Sequence, residues 1–337
     1  MGTDVFAEHR DVLVGVAYRV LGSATDTEDV VQEAWLRWSG VDQATVADPR
    51  AYLITVTTRL AIDRLRRSKA QRETYIGSWL PEPISTEPDA AERAELTDSV
   101  ELALLIVLET LSPLERAVFV LREAFGLPFA EIATVIGRGE PAARQLALRA
   151  REHVRQRRPR FDVDRTARRE VTERFLAACA TGDLDALAGL FASDVRLVSD
   201  AGGKARAPRR VIEGADKVSR FLAAISDERG AQSYMASIGI THPVAFDFAV
   251  TDVNAAPGIV VTADGRPIVV LSLLVVDGLA TAVYLMSNPE KLAGVSGTPD
   301  PGGPVSRIAN PDTSIPPATD PGRSASRIAD PGASERA

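Results

Sequence analysis

Apolar residues recur every three to four positions through the first 75 residues, the spacing of helices with one buried side. Phe6, Val12, Leu13, Val16, Ala17 and Val20 share a side of the first. Thr25-Asp26-Thr27-Glu28 has the form of a capping box and predicts a second helix to about Trp38, with Val30, Val31, Ala34, Trp35 and Trp38 along one side. Asp48-Pro49 joins a cap to a first-position proline and starts a third helix, continuing to about Ser68. On it Arg59, Asp63, Arg66 and Arg67 fall on one polar face. Helical spacing returns over 97–158. Ser112-Pro113-Leu114-Glu115 combines cap, proline and capping box, and predicts a helix over 113–125 that ends at Gly126. A shorter helix over 128–136 stops at Gly137, and an arginine-rich one covers 140–158. Two helices with a glycine turn, the second basic, make a helix-turn-helix pattern.

The pattern changes over 166–292. An amphipathic helix over 171–181 is followed by Gly182-Asp183 and a second helical stretch over 184–191. Residues 195–198 suit a strand and 217–225 a helix. Strand-length apolar runs then dominate, over 245–253, 258–262, 268–276 and 280–286, with hairpin turns at Ala263-Asp264-Gly265 and Asp277-Gly278. Helices followed by a meander predict an α+β domain with helices on one curved sheet. Residues 293–337 are rich in Pro, Gly, Ser and Asp, and the unit at Asp300-Pro-Gly recurs at Asp320-Pro-Gly. They read as a disordered tail. Residues 76–96 read as an acidic linker, but the apolar pair Trp79-Leu80 inside it is expected to dock against something. The fold class is thus multidomain: two all-α domains (1–75 and 97–160), an α+β domain (166–292) and the tail.

The 337 residues, 45% hydrophobic, suffice for two or three cores. The longest apolar stretch, 268–276, falls short of the roughly 20 residues of a membrane span, so no membrane partner is expected. The N-terminus lacks the basic-then-apolar order of a secretion signal. The single Cys179 rules out an intrachain disulfide or thiolate zinc site, and His9, His153 and His242 are far apart in sequence. No metal and no cofactor are expected, and a reducing cytoplasm is the simplest setting. The net charge of −7 argues against a nucleic-acid partner, but its distribution argues for one. Residues 138–160 hold eight arginines against Glu140 and Glu152, and 50–75 is also basic, whereas 82–101 carries seven acids and only Arg93. Two basic elements separated by an acidic linker suggest two nucleic-acid contacts on one flexible chain.

Particular residues narrow this further. Asp26-Thr-Glu-Asp-Val-Val-Gln-Glu-Ala-Trp-Leu-Arg-Trp resembles the polymerase-binding helix of bacterial sigma factors, and Ala61-Ile-Asp63-Arg-Leu-Arg66-Arg67 the end of the helix that opens the minus-ten element. Leu111-Ser-Pro-Leu-Glu-Arg-Ala-Val-Phe-Val-Leu-Arg-Glu, with Glu140-Pro-Ala-Ala-Arg-Gln-Leu-Ala-Leu-Arg-Ala-Arg, is similar to the domain that reads the minus-thirty-five element. In this order, 1–158 resembles the extracytoplasmic-function sigma factors. The continuation resembles the SnoaL-like (nuclear transport factor 2-like) α+β fold with its cone-shaped pocket. Trp79-Leu-Pro-Glu-Pro, Asp200-Ala-Gly-Gly-Lys204 and Asn288-Pro-Glu-Lys291-Leu292 resemble three marks of the SigJ-type subgroup.

The resemblance implies core RNA polymerase and promoter DNA as partners. It places Asp29, Gln32, Glu33, Trp35 and Arg37 at the polymerase, although a tryptophan such as Trp35 more often packs in a core. It places Arg59, where relatives often carry asparagine, with Arg66, Arg67 and Lys69 on the opened strand. Arg138, Glu140, Arg144 and Gln145 are implied at bases or nearby phosphates, and Arg149 at phosphate. The C-terminal domain is implied to act in cis, replacing a separate anti-sigma partner. Trp79, Leu80 and Pro81 would dock on it near Asp200, Gly202, Gly203 and Lys204 and near Asn288, Pro289, Glu290 and Lys291. A small molecule in the pocket is a further candidate partner. The alternative is a SnoaL-like cyclase or isomerase fused to a DNA-binding module; it would need an acid or base in the pocket, and Asp200, Asp252 and His242 form no evident pair. A third alternative, an upstream activator, would not need the helices of 1–75.

Overall fold

A computed structural model describes residues 2–85, 101–157, 164–242, 244 and 246–295. The acidic run 86–96 and the expected disordered tail, from residue 296 onward, lie outside the described residues.

Helices α1 (Gly2–Leu21), α2 (Ala24–Ser39) and α3 (Pro49–Arg72) pack together. Asp48 Oδ1 accepts from Ala51 N at 2.9 Å, so α3 begins where the Asp-Pro pair predicts, and it continues to Arg72. The expected Thr25–Glu28 capping box is not formed. Ser23 caps α2 instead, its Oγ accepting from Asp26 N at 3.0 Å, and Glu28 turns outward to pair with Arg10 at 2.9 Å. Trp38 is buried as expected, but Trp35 is 40% exposed.

Next come α4 (Leu102–Leu108), α5 (Pro113–Phe119), α6 (Phe129–Ile136) and α7 (Glu140–Arg157). The Ser112–Glu115 capping box is present. The helix expected to reach 125 widens into a π-helical turn over Val120–Ala124. Gly137 ends α6 in the left-handed region at φ 63°, a conformation glycine adopts without strain. The two helical regions do not stand apart on a flexible chain. Leu13, Leu21 and Leu65 from the first and Leu105, Leu111 and Leu121 from the second belong to one continuous buried cluster.

The C-terminal domain comprises α8 (Arg165–Thr181), α9 (Leu184–Gly189), β1 (Phe191–Asp200), β2 (Ile212–Glu213), α10 (Ala215–Ser226), α11 (Glu228–Ser237), β3 (Phe246–Val253), β4 (Ala256–Ala263), β5 (Arg266–Val276) and β6 (Leu279–Met286). The sheet order is β2-β1-β6-β5-β4-β3, with β1 and β6 parallel and the other pairs antiparallel. Asp264-Gly265 and Asp277-Gly278 have positive φ at both positions, the geometry of tight hairpin turns. A third such turn, Asn254-Ala255, joins β3 to β4. One face of the sheet packs against α8 and α10 through Phe175, Leu222, Val261 and Leu271. The other face, through Val260, Val270 and Met286, packs against Leu80, Leu292 and Val295. Residues 293–295, expected in the tail, are therefore part of this packing.

Candidate functional site: an interdomain clamp and the basic helix faces

The strap over 77–85 runs from the end of α3 between the helical domains and the sheet. Leu80 is buried against Val260, Val270 and Met286. Beside it lies Asp200, at the end of β1 and wholly buried. Its carboxylate accepts from the Tyr75 hydroxyl, from Leu80 N at 2.8 Å, from Gly202 N at 3.2 Å and from Lys291 Nζ at 2.7 Å. Lys291, on a single 3₁₀ turn (Pro289–Lys291), also donates to Leu80 O at 2.6 Å and lies 3.1 Å from the centre of the Trp79 ring. The Arg72 guanidinium lies 4.0 Å from the same ring centre, and Tyr75 meets the indole edge-on at 4.8 Å. Trp79 is thus held by two cations, a favourable arrangement for an aromatic face. Burial lowers the Lys291 pKa to about 8, against the opposing pull of Asp200.

Asn288 donates from Nδ2 to the Tyr75 hydroxyl at 2.9 Å, and Lys204 pairs with Glu290. Gly202 and Gly203 both have positive φ, and their backbones lie close to neighbours. A Cβ on Gly202 would fall 2.5 Å from Asn288 Nδ2, and one on Gly203 2.9 Å from Ile76 Cδ1. Pro81 is buried against Gly22. The structure thus brings the three segments suspected at the sequence level into one cluster.

Sequence reasoning missed Tyr18, Tyr75, Glu82 and Asn254 as members. Glu82 reaches across to the start of α2, accepting from Ser23 Oγ at 2.8 Å, Ala24 N at 2.8 Å and Thr25 N at 3.2 Å. A carboxylate suits the unpaired amides at a helix start. Tyr18 donates to Glu82 O at 2.7 Å and accepts from Asn254 Nδ2 at 2.6 Å, so α1, strap and β3–β4 turn meet in one chain of hydrogen bonds. Only the position of Glu82 inside Trp79-Leu-Pro-Glu-Pro hinted at its role.

A second seam joins α3 to the later helices. Arg59, expected to face DNA, donates to Val135 O at 2.9 Å and Thr134 O at 2.8 Å, the last carbonyls of α6. Lys69 donates to Leu111 O at 2.5 Å and Glu109 O at 3.3 Å. Glu109 joins Arg72 to the fully buried Arg116, which also donates to Arg19 O at 2.9 Å. Burial would raise the Glu109 pKa, but Arg116 and Arg72 outweigh it and hold the carboxyl low.

The other basic candidates lie at the surface. Arg66 pairs with Asp63 at 3.1 Å and Arg67 donates to Asp63 O at 3.3 Å. Arg138 and Gln145 are exposed, Arg144 pairs with Glu140 across one turn of α7, and Arg149 meets Glu115 at 3.3 Å. On α2, Gln32 is exposed, Asp29 meets Arg64 at 3.1 Å, Glu33 pairs with Arg37 at 3.1 Å, and Trp35 stands beside the exposed Leu36. Asp252 is engaged by Arg165 and Arg169, and His242 faces Asp264 at the surface. Asp200 belongs to the clamp. No cluster suited to a metal ion occurs among the described residues, and no described helix is long and apolar enough to cross a membrane.

The Sigma-70 region 2 family model matches residues 5–71, and the Sigma-70 region 4 model matches residues 101–154. The ECF RNA polymerase sigma factor SigJ of Mycobacterium tuberculosis is 39% identical over 302 residues, covering 87% of this chain and 94% of that protein. The probable ECF RNA polymerase sigma factor SigI of the same species is 34% identical, covering 84% and 92%. The crystal structure of M. tuberculosis SigJ superposes with a TM-score of 0.69 at 38% identity, covering 87% of this chain and 99% of that one, so the similarity extends through the C-terminal domain. The enzyme alternative gives way to these matches. A chain this similar to SigJ over nearly all of its length, with both sigma regions in order, belongs to the extracytoplasmic-function RNA polymerase sigma factors.

Proposed function

We propose that this sigma factor carries its own regulator. The exposed face of α2, with Asp29, Gln32, Glu33, Trp35 and Arg37, docks on core RNA polymerase. α3 engages the minus-ten element, and the start of α7 enters the major groove at the minus-thirty-five element. The C-terminal domain acts in cis by gripping the strap between the two readers.

The observation that carries this reading is the pair of seams. The clamp around Asp200 fixes the strap to the end of α3, and the Arg59 contact fixes α3 to α6. The C-terminal domain also reaches the second reader directly: Arg168 pairs with Glu101 at 2.6 Å, and Ile106 of α4 packs beside Leu80. The two promoter elements lie about 25 base pairs apart by their names, or about 85 Å of duplex at about 3.4 Å per step. Helices in van der Waals contact cannot sit on both. Promoter engagement therefore requires the second seam to open, and the clamp decides how the readers are released.

The test is co-migration with core polymerase in size-exclusion chromatography, beside run-off transcription, for the intact chain and for Trp79→Ala. The intact chain is expected to co-migrate. Trp79→Ala is expected to co-migrate also and to change transcript yield. Failure of the intact chain to bind core would overturn the reading, and unchanged transcription by Trp79→Ala would remove the regulatory part of it.

A further inference from the structure

The C-terminal domain encloses a cavity of about 1430 Å³ between α8, α10 and α11 and the concave face of the sheet. Its walls are chiefly apolar, among them Phe175, Phe221, Ile225, Met235, Val261 and Leu271. Sites for drug-sized ligands span about 300–1,000 Å³, so this one has room for a long or polycyclic apolar body. Nothing in the sigma-factor reading uses it.

The mouth carries the charge. Asp227 and Glu228 are there and keep their negative charge, but their carboxylates serve the first turns of α11: Asp227 Oδ1 accepts from Gly230 N at 2.6 Å, and Glu228 Oε1 from Gln232 Nε2 at 3.2 Å. Arg206 and Arg229 are there too, and neither has a carboxylate partner among the described residues. Arg206 donates to the Ser233 hydroxyl through Nη1, and its backbone N donates to Ser237 Oγ at 2.9 Å, so it is tethered at the rim with most of its five donors unspent. An apolar chamber with a positioned guanidinium at its entrance matches an apolar molecule with one acidic end.

We propose that this domain is a receptor for an amphipathic carboxylic acid, with its apolar body in the cavity and its carboxylate on Arg206. The site lies one strand layer from the clamp. Ile259, Val261, Val269, Leu271 and Leu285 face the cavity, while the alternate residues Val260, Val270 and Met286 face Leu80. A molecule that fills the chamber presses on the wall that holds the strap.

Isothermal titration of the full chain with decanoate and with decanol, below the micellar range and without polymerase, tests this. Decanoate should saturate at one molecule per chain and bind about five-fold or more tighter than decanol, the size of a charge-assisted contact at a partly solvated site. Arg206→Gln should remove that difference and leave decanol unaffected. Ile225→Trp, which intrudes on the chamber, should weaken both. Should Ile225→Trp fail to fold, the Arg206→Gln comparison still decides. Absence of saturable decanoate binding, equal affinity for the two ligands, or indifference of decanoate to Arg206→Gln would each overturn the proposal. Because no polymerase is present, neither result bears on the sigma-factor reading.

Discussion

Asp200 holds together groups from the end of α3, the strap and the 3₁₀ turn while being wholly buried, so its removal strands a buried ammonium. Asp200→Ala should cost about 3–5 kcal/mol, read as a lowered denaturant midpoint of the C-terminal transition. A loss below about 1 kcal/mol would mean that Lys291 finds another anion or reaches water. Lys291 itself adds a pH signature. Its folded pKa of about 8 lies below the ordinary 10.5, so between these values the unfolded chain binds more protons. Its contribution to stability is therefore level below about pH 8 and rises from there to about pH 10.5. Comparing unfolding midpoints of the native chain and Lys291→Met across that window should reveal the slope as a growing difference. Glu82 is a more local case. Glu82→Gln keeps the size of the side chain and removes the charge at the start of α2, at a cost of about 1 kcal/mol. Amide exchange should accelerate first at Ala24 and Thr25, whose N–H groups it accepts.

At the level of helices and strands, what was legible in the sequence was local. Asp48, the Ser112–Glu115 box, Gly137 and the two Asp-Gly turns act through bonds within a few residues, and each lies where the sequence suggests. What failed had both local and distant causes. Thr25 does not cap α2 because Ser23, two residues earlier, does so, while Glu82, 57 residues beyond Thr25, accepts from the Ala24 and Thr25 amides. The Asn254-Ala255 turn escaped notice because alanine seldom adopts positive φ. α11 lacked a clear apolar stripe, and the parallel β1–β6 pairing cannot be read from alternation alone. The clamp was visible as three odd segments, but Tyr18 and Asn254 carry no unusual neighbours. Arg59 adds a related point: its position on a basic face suggests DNA, and the fold shows that without DNA the end of α6 holds it. The Gly202 loop offers an element-level test. Gly202→Val places a branched side chain at positive φ where a Cβ already falls 2.5 Å from Asn288 Nδ2. The loop must move, the Asn288–Tyr75 bond must break, and limited proteolysis of the strap over 77–85 should quicken several-fold relative to the native chain.

For the molecule as a whole, the two seams differ in kind, and this sets what moves. The clamp is centred on a buried ion pair and anchored on a sheet, whereas the Arg59 contact joins an exposed guanidinium to two helix-end carbonyls. A charge at a helix C-terminus contributes about 0.3–1 kcal/mol, and phosphate offers the same guanidinium a full negative charge. The Arg59 edge of the second seam is therefore where DNA competes first, ahead of its buried Glu109–Arg116 part. Donor and acceptor fluorophores at exposed positions such as Glu131 on α6 and Asp63 on α3 should report close approach in the free chain. With core polymerase and a promoter duplex, transfer should fall toward zero, because bound readers are separated by about 85 Å. Arg59→Ala should lower transfer in the free chain only slightly, because the shared apolar cluster and the Lys69, Arg72, Glu109 and Arg116 contacts still join α3 to the later helices. Rising salt should favour the high-transfer state in the ternary complex by weakening the phosphate contacts. If transfer remained high while transcripts were being made, the readers would not need to separate, and the seam would be part of the working form and not a brake on it.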